Sequence, residues 1–277
     1  MTGQTIALVG DPVSGSVSPA MQNAAFRKLD LPFTYEAVRV PRGELTTSFA
    51  SLRERLAGLN VTIPHKEEAA RLVDTLEPAA RASGSVNTIA FRDGQAIGDS
   101  TDGGGFLRAL RRGAGHVDVR TALILGSGGA ARSVASALAD EGVSVRLCSR
   151  SGATARRLAS EIAGVQIVRA DGIGFLDGID LLVSAVPPAA WEDDGAGPLL
   201  RDVPLRPGLV VFDLVYRPRQ TPLLERALAD GCAIIEGIEM LIEQGALSFT
   251  MWTGQDAPLE VMRDAAYEAL AAGPLAA

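Results

Sequence analysis

Cysteine and histidine are scarce, with two of each among 277 residues. Cys148 and Cys232 do not fall at a metal or redox spacing. Cys148 lies in a strand-like run and reads as a buried core thiol. His65 and His116 alone cannot build a multi-histidine site, so no metal centre is expected. Blocks rich in Lys and Arg are absent, and the net charge is −7. Nucleic-acid binding through a basic surface is therefore disfavoured, although a local cationic pocket for a phosphorylated ligand stays open. No apolar run approaches the roughly 20 residues of a membrane span. Met1 is followed by polar residues and a short strand, without the basic start, apolar core and cleavage site of a signal peptide. The expected compartment is the cytosol. Internal repeats and low-complexity tracts are also missing. Apolar residues are plentiful: 47% of the chain is hydrophobic and 21% charged, which supports a large core and argues against disorder. The length exceeds that of a typical single domain, so two lobes are expected.

The most informative stretch is Gly126-Ser127-Gly128-Gly129-Ala130-Ala131. A short apolar run, Thr121–Leu125, precedes it, and an Ala-rich segment of helical period, Ala130 to Asp140, follows. Strand, glycine turn and helix form the entry of a dinucleotide-binding unit. The first glycine permits the tight turn, and the second lets the backbone approach a pyrophosphate. Small Ala131 lets helix and strand pack closely, and the helix N-terminus attracts phosphate. A second strand, Ser144–Cys148, ends in Ser149-Arg150-Ser151. An NAD site usually places Asp or Glu there to hold the ribose 2′-OH. A cation and hydroxyls suit a 2′-phosphate instead, so the spacing argues for NADP.

The first lobe reads as alternating strands and helices. Strands are expected at Ile6–Val9, Phe33–Val38 and Gly58–Thr62. Helices are expected from Pro19 to about Leu29 with Ser18 as cap, across Glu44–Leu56, and at Lys66–Val73 and Pro78–Ser83. Val86–Phe91 and Ala96–Gly98 suit a hairpin around Asp93-Gly94. Asp102-Gly103-Gly104-Gly105 reads as a flexible junction before a helix at Phe106–Arg112. Further strands are expected near Gln166–Arg169, Leu181–Ala185, Val210–Leu214 and Ala233–Ile235. The proline-bearing loop from Pro187 to Pro207 reads as exposed or functional. Helices Glu239–Thr253 and Pro258–Leu270 close the chain, with a frayed tail from Ala271.

Four constellations could carry chemistry. Ser14, Ser16 and Ser18 offer hydroxyls to a polyol or carboxylate, although a cap and turn would use the same residues. Asn60-Val-Thr62-Ile-Pro-His-Lys66 ends a strand and opens a helix. Lys66 would then sit at a strand C-terminus, where ligands meet α/β sheets. A cation there opposes the helix dipole, which suits a group that gives up and regains a proton; a solvated surface lysine is the plain alternative. Asp102 could pair with Lys66 and orient a substrate hydroxyl, or its run could simply cap a helix. Gln244 can donate to one hydroxyl and accept from another, although alone it reads as an ordinary helix-surface residue.

Taken together, these runs resemble the shikimate dehydrogenase family over nearly the whole chain. The matching runs are Gly10-Asp-Pro12 with Ser16-Val-Ser18-Pro19, Asn60–Lys66, Val86-Asn87-Thr88, Gly98–Gly103, Gly126–Arg132, Asp213–Tyr216 and Gly237–Gly245. The resemblance implies NADP-dependent, reversible reduction of 3-dehydroshikimate to shikimate. It implies that Ser16 and Ser18 bind the substrate carboxylate. Thr62, Lys66, Asn87, Asp102 and Gln244 would hold the ring hydroxyls, with Tyr216 near the substrate. Lys66 would be the acid/base residue, assisted by Asp102. Gly126, Ser127, Gly128, Gly129 and Ala130 would bind pyrophosphate, and Ser149 and Arg150 the 2′-phosphate end. Leu214 and Gly237 would border the nicotinamide.

The implied fold is α/β in two lobes. A discontinuous substrate-binding domain, 1–102 and 238–277, would take the last helices back onto the first lobe, and a Rossmann-type NADP domain would span 103–237. A monomer or homodimer acting on a small molecule is implied. Where the family usually has His before the first serine, this chain has Gly15. Ser149-Arg150-Ser151 replaces Asn-Arg-Thr, Ser184-Ala185-Val186 replaces Asn-Ala-Thr, and Glu239 replaces a glycine. No departure removes a catalytic residue. They leave room for a quinate/shikimate dehydrogenase with relaxed cofactor choice, and a non-catalytic NADP-binding regulatory module is the alternative outside enzymes.

Overall fold

The computed structural model describes residues 4–115, 117–169, 176–186 and 205–273. The chain divides into two compact units: Met1–Gly105 with Leu241–Ala277, and Phe106–Met240. His116, residues 187–204 of the proline-bearing loop and residues 274–277 of the tail lie outside the described residues.

The first unit runs β1 (Gln4–Gly10), α1 (Ser18–Lys28), β2 (Phe33–Arg39), α2 (Leu45–Arg55), β3 (Gly58–Val61), α3 (Lys66–Leu72), β4 (Thr75–Leu76), α4 (Pro78–Ser83), β5 (Thr88–Arg92) and β6 (Gln95–Asp99). Its sheet has the order β2-β1-β3-β5-β6-β4. β2, β1 and β3 are parallel, β5 pairs antiparallel with β3, and β5 and β6 form a hairpin. Asp93 and Gly94 turn that hairpin with φ of 50° and 74°. A two-residue turn needs positive φ at both central positions to match the strand twist, which Asp-Gly tolerates. Ala7, Val9, Leu59, Val61 and Ile89 pack with Leu45, Phe49 and Leu52 in one buried cluster.

α5 (Thr101–Gly113) begins in this unit. Gly103, Gly104 and Gly105 lie inside that helix and do not form a flexible junction. Tertiary packing overrides their weak propensity. A Cβ on Gly105 would sit 2.5 Å from the backbone nitrogen of Gln244, so only glycine allows this approach. Ser18 is likewise the first residue of α1 and not its cap; the cap position is Val17, and Ser16 Oγ accepts from the Ser18 N–H at 3.2 Å.

The second unit continues with β7 (Thr121–Leu125), α6 (Gly129–Asp140), β8 (Ser144–Cys148), α7 (Gly152–Glu161), β9 (Val165–Ile167), β10 (Leu181–Ser184), β11 (Val210–Asp213), α8 (Pro222–Ala229) and β12 (Ala233–Glu236). All six strands are parallel, in the order β12-β11-β10-β7-β8-β9. Both faces are covered, as a parallel sheet requires. Along β7, Ala122 and Ile124 join the cluster that holds Ala131, Val134 and Leu138, while Leu123 and Leu125 join the one that holds Leu182, Val211 and Leu224. Cys148, at the end of β8, is only half-buried, because it is the last residue of its strand. The strand order reverses between β7 and β10, and ligands of open α/β sheets bind at such a switch point.

α9 (Gly237–Thr253) and α10 (Leu259–Ala271) follow. From Leu241 onward they belong to the first unit. There Phe249 stacks on Phe26 at 5.3 Å, Gln22 Nε2 donates to the Gly245 carbonyl at 2.9 Å, and Trp252 Nε1 donates to the Ile89 carbonyl at 2.9 Å. Among the described residues no helix is long and apolar enough to cross a membrane.

Candidate active site

The end of β3 and the start of α3 deliver Lys66. Its ammonium donates to Asp102 Oδ2 at 2.5 Å, and both side chains are largely buried, at 15% and 5% exposure. Asp102 sits in the first turn of α5, where the helix dipole favours a carboxylate. Lys66 starts α3 against that dipole, and Glu67 and Glu68 in the same turn offset it. The pair joins two helix starts at the same edge of one sheet.

Asn87 locks the carboxylate in place. Its Oδ1 accepts the backbone N–H of Thr101 at 2.8 Å, so a distant side chain satisfies an orphan amide at the start of α5. That N–H can only donate, which fixes the orientation of the amide. The Nδ2 then faces Asp102 Oδ1 at 2.8 Å, Thr101 Oγ1 at 2.9 Å and Gln244 Oε1 at 3.0 Å. Gln244 Nε2 donates back to the Leu241 carbonyl at 2.9 Å. Lys66, Asn87, Asp102 and Gln244 thus form one connected group.

Thr62 and Ser16 lie in loops beside this edge, and Ser18 opens α1. Asp11 N–H donates to the Ile63 carbonyl and Thr62 N–H to the Val9 carbonyl, both at 2.9 Å, tying the serine loop's start to the Thr62–Lys66 turn. Gly10 is required there, since a Cβ would fall 2.3 Å from Thr62 Cγ2. Ser16 is half-buried and Ser18 buried, and neither is hydrogen-bonded to the Lys66 group. His65 is fully buried; its Nε2 meets the Val40 carbonyl at 2.7 Å, so it is a packing residue.

Beneath the Lys66 group lies a layer that sequence reasoning missed as a unit. Tyr35, Asn60, Thr88, Thr101 and Ser248 are all buried. Burial pushes the Tyr35 phenol up, so it stays an O–H donor, and it donates to Asn60 Oδ1 at 2.7 Å. Burial also raises the Asp99 carboxyl, partly countered by the Ser100 N–H that it accepts.

In the second unit, Gly126 through Ala130 leave β7 and enter α6. Gly126 has φ 107°, and a Cβ there would stand 2.9 Å from the Ala185 carbonyl after β10. The turn therefore sits at the switch point. Among the described residues, no side chain caps the start of α6, and nothing lies within 4 Å of where a Gly128 Cβ would be. A pyrophosphate fits this uncapped helix start. Ser127 and Ser149 hydroxyls are 2.8 Å apart. Arg150 is exposed and has no ion pair with a described residue, and Arg156 lies against Gly152. Ser151 caps α7 through the Thr154 N–H. At the ends of β11 and β12, the Leu214 carbonyl would lie 2.5 Å from a Cβ on Gly237. Tyr216 is half-buried nearby in sequence. Asp213, part of the matching run but given no role from sequence, is fully buried, and its carboxyl is raised by that burial; it accepts from Thr221 Oγ1 at 2.7 Å and from the Val215 N–H at 3.2 Å, which shapes the loop carrying Leu214 and Tyr216.

A parallel dinucleotide sheet, joined in one chain to an α/β unit with a buried lysine–carboxylate pair, is the makeup of a nicotinamide-linked dehydrogenase. Residues 8–89 match the model of the shikimate dehydrogenase substrate binding domain, and residues 237–267 that of the shikimate 5′-dehydrogenase C-terminal domain. A shikimate dehydrogenase (NADP(+)) of Methanopyrus kandleri is 43% identical over 96% of this chain and 95% of its own. The crystal structure of shikimate 5-dehydrogenase from Thermus thermophilus, in complex with NADP(H) and shikimate, superposes with a TM-score of 0.85 at 35% identity, covering 96% of this chain and 99% of that one. A quinate dehydrogenase from Corynebacterium glutamicum in complex with NAD gives 0.84 at 28% identity over 96% and 98%. The chain belongs to the shikimate dehydrogenase family.

Proposed function

We propose that this chain catalyses the reversible NADP-dependent reduction of 3-dehydroshikimate to shikimate, with Lys66 as acid/base residue and Asp102 as its partner. The observation that carries the reading is the buried 2.5 Å contact between Lys66 Nζ and Asp102 Oδ2, backed by Asn87. When bound, the cofactor supplies hydride to the ring carbonyl carbon. Lys66 as ammonium stabilises the charge building on the carbonyl oxygen and delivers its proton there. Asp102 keeps the ammonium aimed and can accept from a neighbouring hydroxyl. Asn87, Thr62 and Gln244 hold the ring hydroxyls, and Ser16 and Ser18 the carboxylate. Tyr216 would serve the substrate, and Leu214 and Gly237 would hold the nicotinamide. The Gly126–Ala130 turn takes the pyrophosphate, and Ser149 and Arg150 take the 2′-phosphate. The intact Lys66/Asp102 pair argues against a non-catalytic regulatory module, which needs neither. Reduced-cofactor absorbance with shikimate and then quinate, in both cofactors, tests the reading.

Arg150→Ala is expected to raise the KM for NADP by about 10-fold, the scale of a lost charge-assisted bond to phosphate. NAD kinetics should hardly move, because NAD lacks the 2′-phosphate. Equal effects on both cofactors would show that Arg150 does not read that group.

Quinate/shikimate dehydrogenase activity is the second reading, and Gly15 favours it. Gly15 has φ 84° and no side chain, in the loop that carries Ser14 and Ser16. The space could admit quinate's extra hydroxyl, and exposed Ser14 could partner it. An unpartnered buried hydroxyl costs about 1–3 kcal/mol. The expected kcat/KM for shikimate is therefore at least about 10-fold above that for quinate. Comparable values would select the second reading.

A further inference from the structure

We infer that Thr88 is a positioning residue for the chemistry, acting through Asn87 on the Lys66–Asp102 pair; this rests on the roles proposed above. Thr88 is the first residue of β5 and is fully buried. Its hydroxyl donates to Asn87 Oδ1 at 3.1 Å, accepts from Asn60 Nδ2 at 3.1 Å and lies 2.7 Å from Ser248 Oγ. Thr101 Oγ1 closes the cluster, 3.3 Å from Thr88 and 3.2 Å from Ser248. The Ser248 hydroxyl also lies 3.0 Å from the Gln244 carbonyl, which competes with Thr88 Oγ1 for its single proton, so the cluster touches the helix turn that carries Gln244.

The arrangement has a direction. Tyr35 donates to Asn60, Asn60 donates toward Thr88 and Ser248, Thr88 donates to Asn87 Oδ1, and Asn87 Nδ2 donates to Asp102 Oδ1. Each donation satisfies the acceptor that would otherwise let the next amide turn over. The Asn87 amide is held by the Thr101 N–H and by Thr88 together. Without the Thr88 hydroxyl, Oδ1 keeps the Thr101 N–H at 2.8 Å and the longer contact to the Thr101 hydroxyl at 3.2 Å, and the amide gains freedom about its terminal torsion. Small misplacement of a reacting group costs turnover more than binding. Thr88 touches none of Lys66, Asp102 or Gln244 by hydrogen bond; Asn87 is the one partner of its hydroxyl that itself donates to Asp102, while Ser248 and Thr101 link the cluster to Gln244.

Thr88→Val keeps the side-chain shape and removes the hydroxyl, and Thr88→Ser restores the hydroxyl on a smaller side chain. The expected result is a roughly 10-fold fall in kcat with shikimate for Thr88→Val, with the KM for NADP within about twofold of wild type. Thr88→Ser should return kcat to within about threefold. A purely structural role would lower Tm or folded yield in both variants without this split. If Thr88→Val keeps kcat within about twofold, or if Thr88→Ser falls as far, the inference is overturned. Should Thr88→Val fail to fold, Thr88→Ala removes the same hydroxyl with less bulk and is expected to lower kcat about 10-fold beside a recovered Thr88→Ser; an unchanged kcat then overturns it. Lys66→Ala measured in parallel separates the two levels. Full turnover in Lys66→Ala sinks the acid/base reading itself, whereas an inactive Lys66→Ala beside an unaffected Thr88→Val sinks only the positioning role.

Discussion

Lys66→Ala is expected to cut turnover with shikimate by at least about 10²-fold, the lower end of what a general acid/base supplies. The KM for NADP should stay within about twofold of wild type, since the dinucleotide turn lies on the other unit. Two effects compete in this variant. Removing the ammonium takes away the proton donor, and it also strands a buried carboxylate. Breaking one side of a buried ion pair can cost about 3–5 kcal/mol. Here the loss is cushioned, because Asp102 Oδ1 keeps its bond from Asn87 and the carboxylate stays at a helix start. The activity loss should therefore outrun any loss of folded protein. Steady-state kinetics beside a thermal melt decide it: turnover within a few-fold of wild type at an unchanged melt removes Lys66 from the chemistry.

The elements that could be read from sequence were those whose signals are local. β7, Gly126 and α6 announce themselves through an apolar run, a glycine turn and an Ala-rich helix within about 20 residues, the reach of one strand–turn–helix unit. The Asp93-Gly94 hairpin did the same. α8 carried a legible start that went unread: Thr221 caps it and Pro222 opens it. α7 was missed too, although Ser151 caps it. The start of α5 could not be read locally. Its glycines mean flexibility in isolation and close packing in the fold, and only contact with Gln244 decides between them. The same holds for the site. Lys66 and Asp102 stood out because charged residues beside strand ends are conspicuous. Thr88 and Ser248 did not, since ordinary hydroxyls gain meaning only from partners far away in the chain: Ser248 meets Thr88 across 160 positions and Asn60 across 188.

Gly105→Ala is expected to destabilise the first unit by driving a methyl into the backbone of α9. The new Cβ would stand 2.5 Å from Gln244 N, 2.6 Å from its Cβ and 2.7 Å from its Cα. Two of those atoms are backbone, so no rotamer change relieves the clash, and α5 and α9 must separate. Helix propensity pulls the other way: alanine is favoured over glycine by about 1 kcal/mol inside a helix. Overpacking a core costs about 1–3 kcal/mol, and more where backbone must move, so the clash should win. Gly104→Ala is the internal control. Its Cβ would meet only Leu247 Cδ1, at 2.9 Å, the far end of a flexible side chain. That clash can swing away while the propensity gain remains, so Gly104→Ala should melt within a few degrees of wild type. Gly105→Ala should melt about 5–10 °C lower, from roughly 2–4 °C per kcal/mol in a chain of this size. It should also lose turnover beyond what partial unfolding explains, because Gln244 and the start of α5 carry two members of the Lys66 group. Equal melts for the two variants would show that the α5–α9 approach is looser than these distances state.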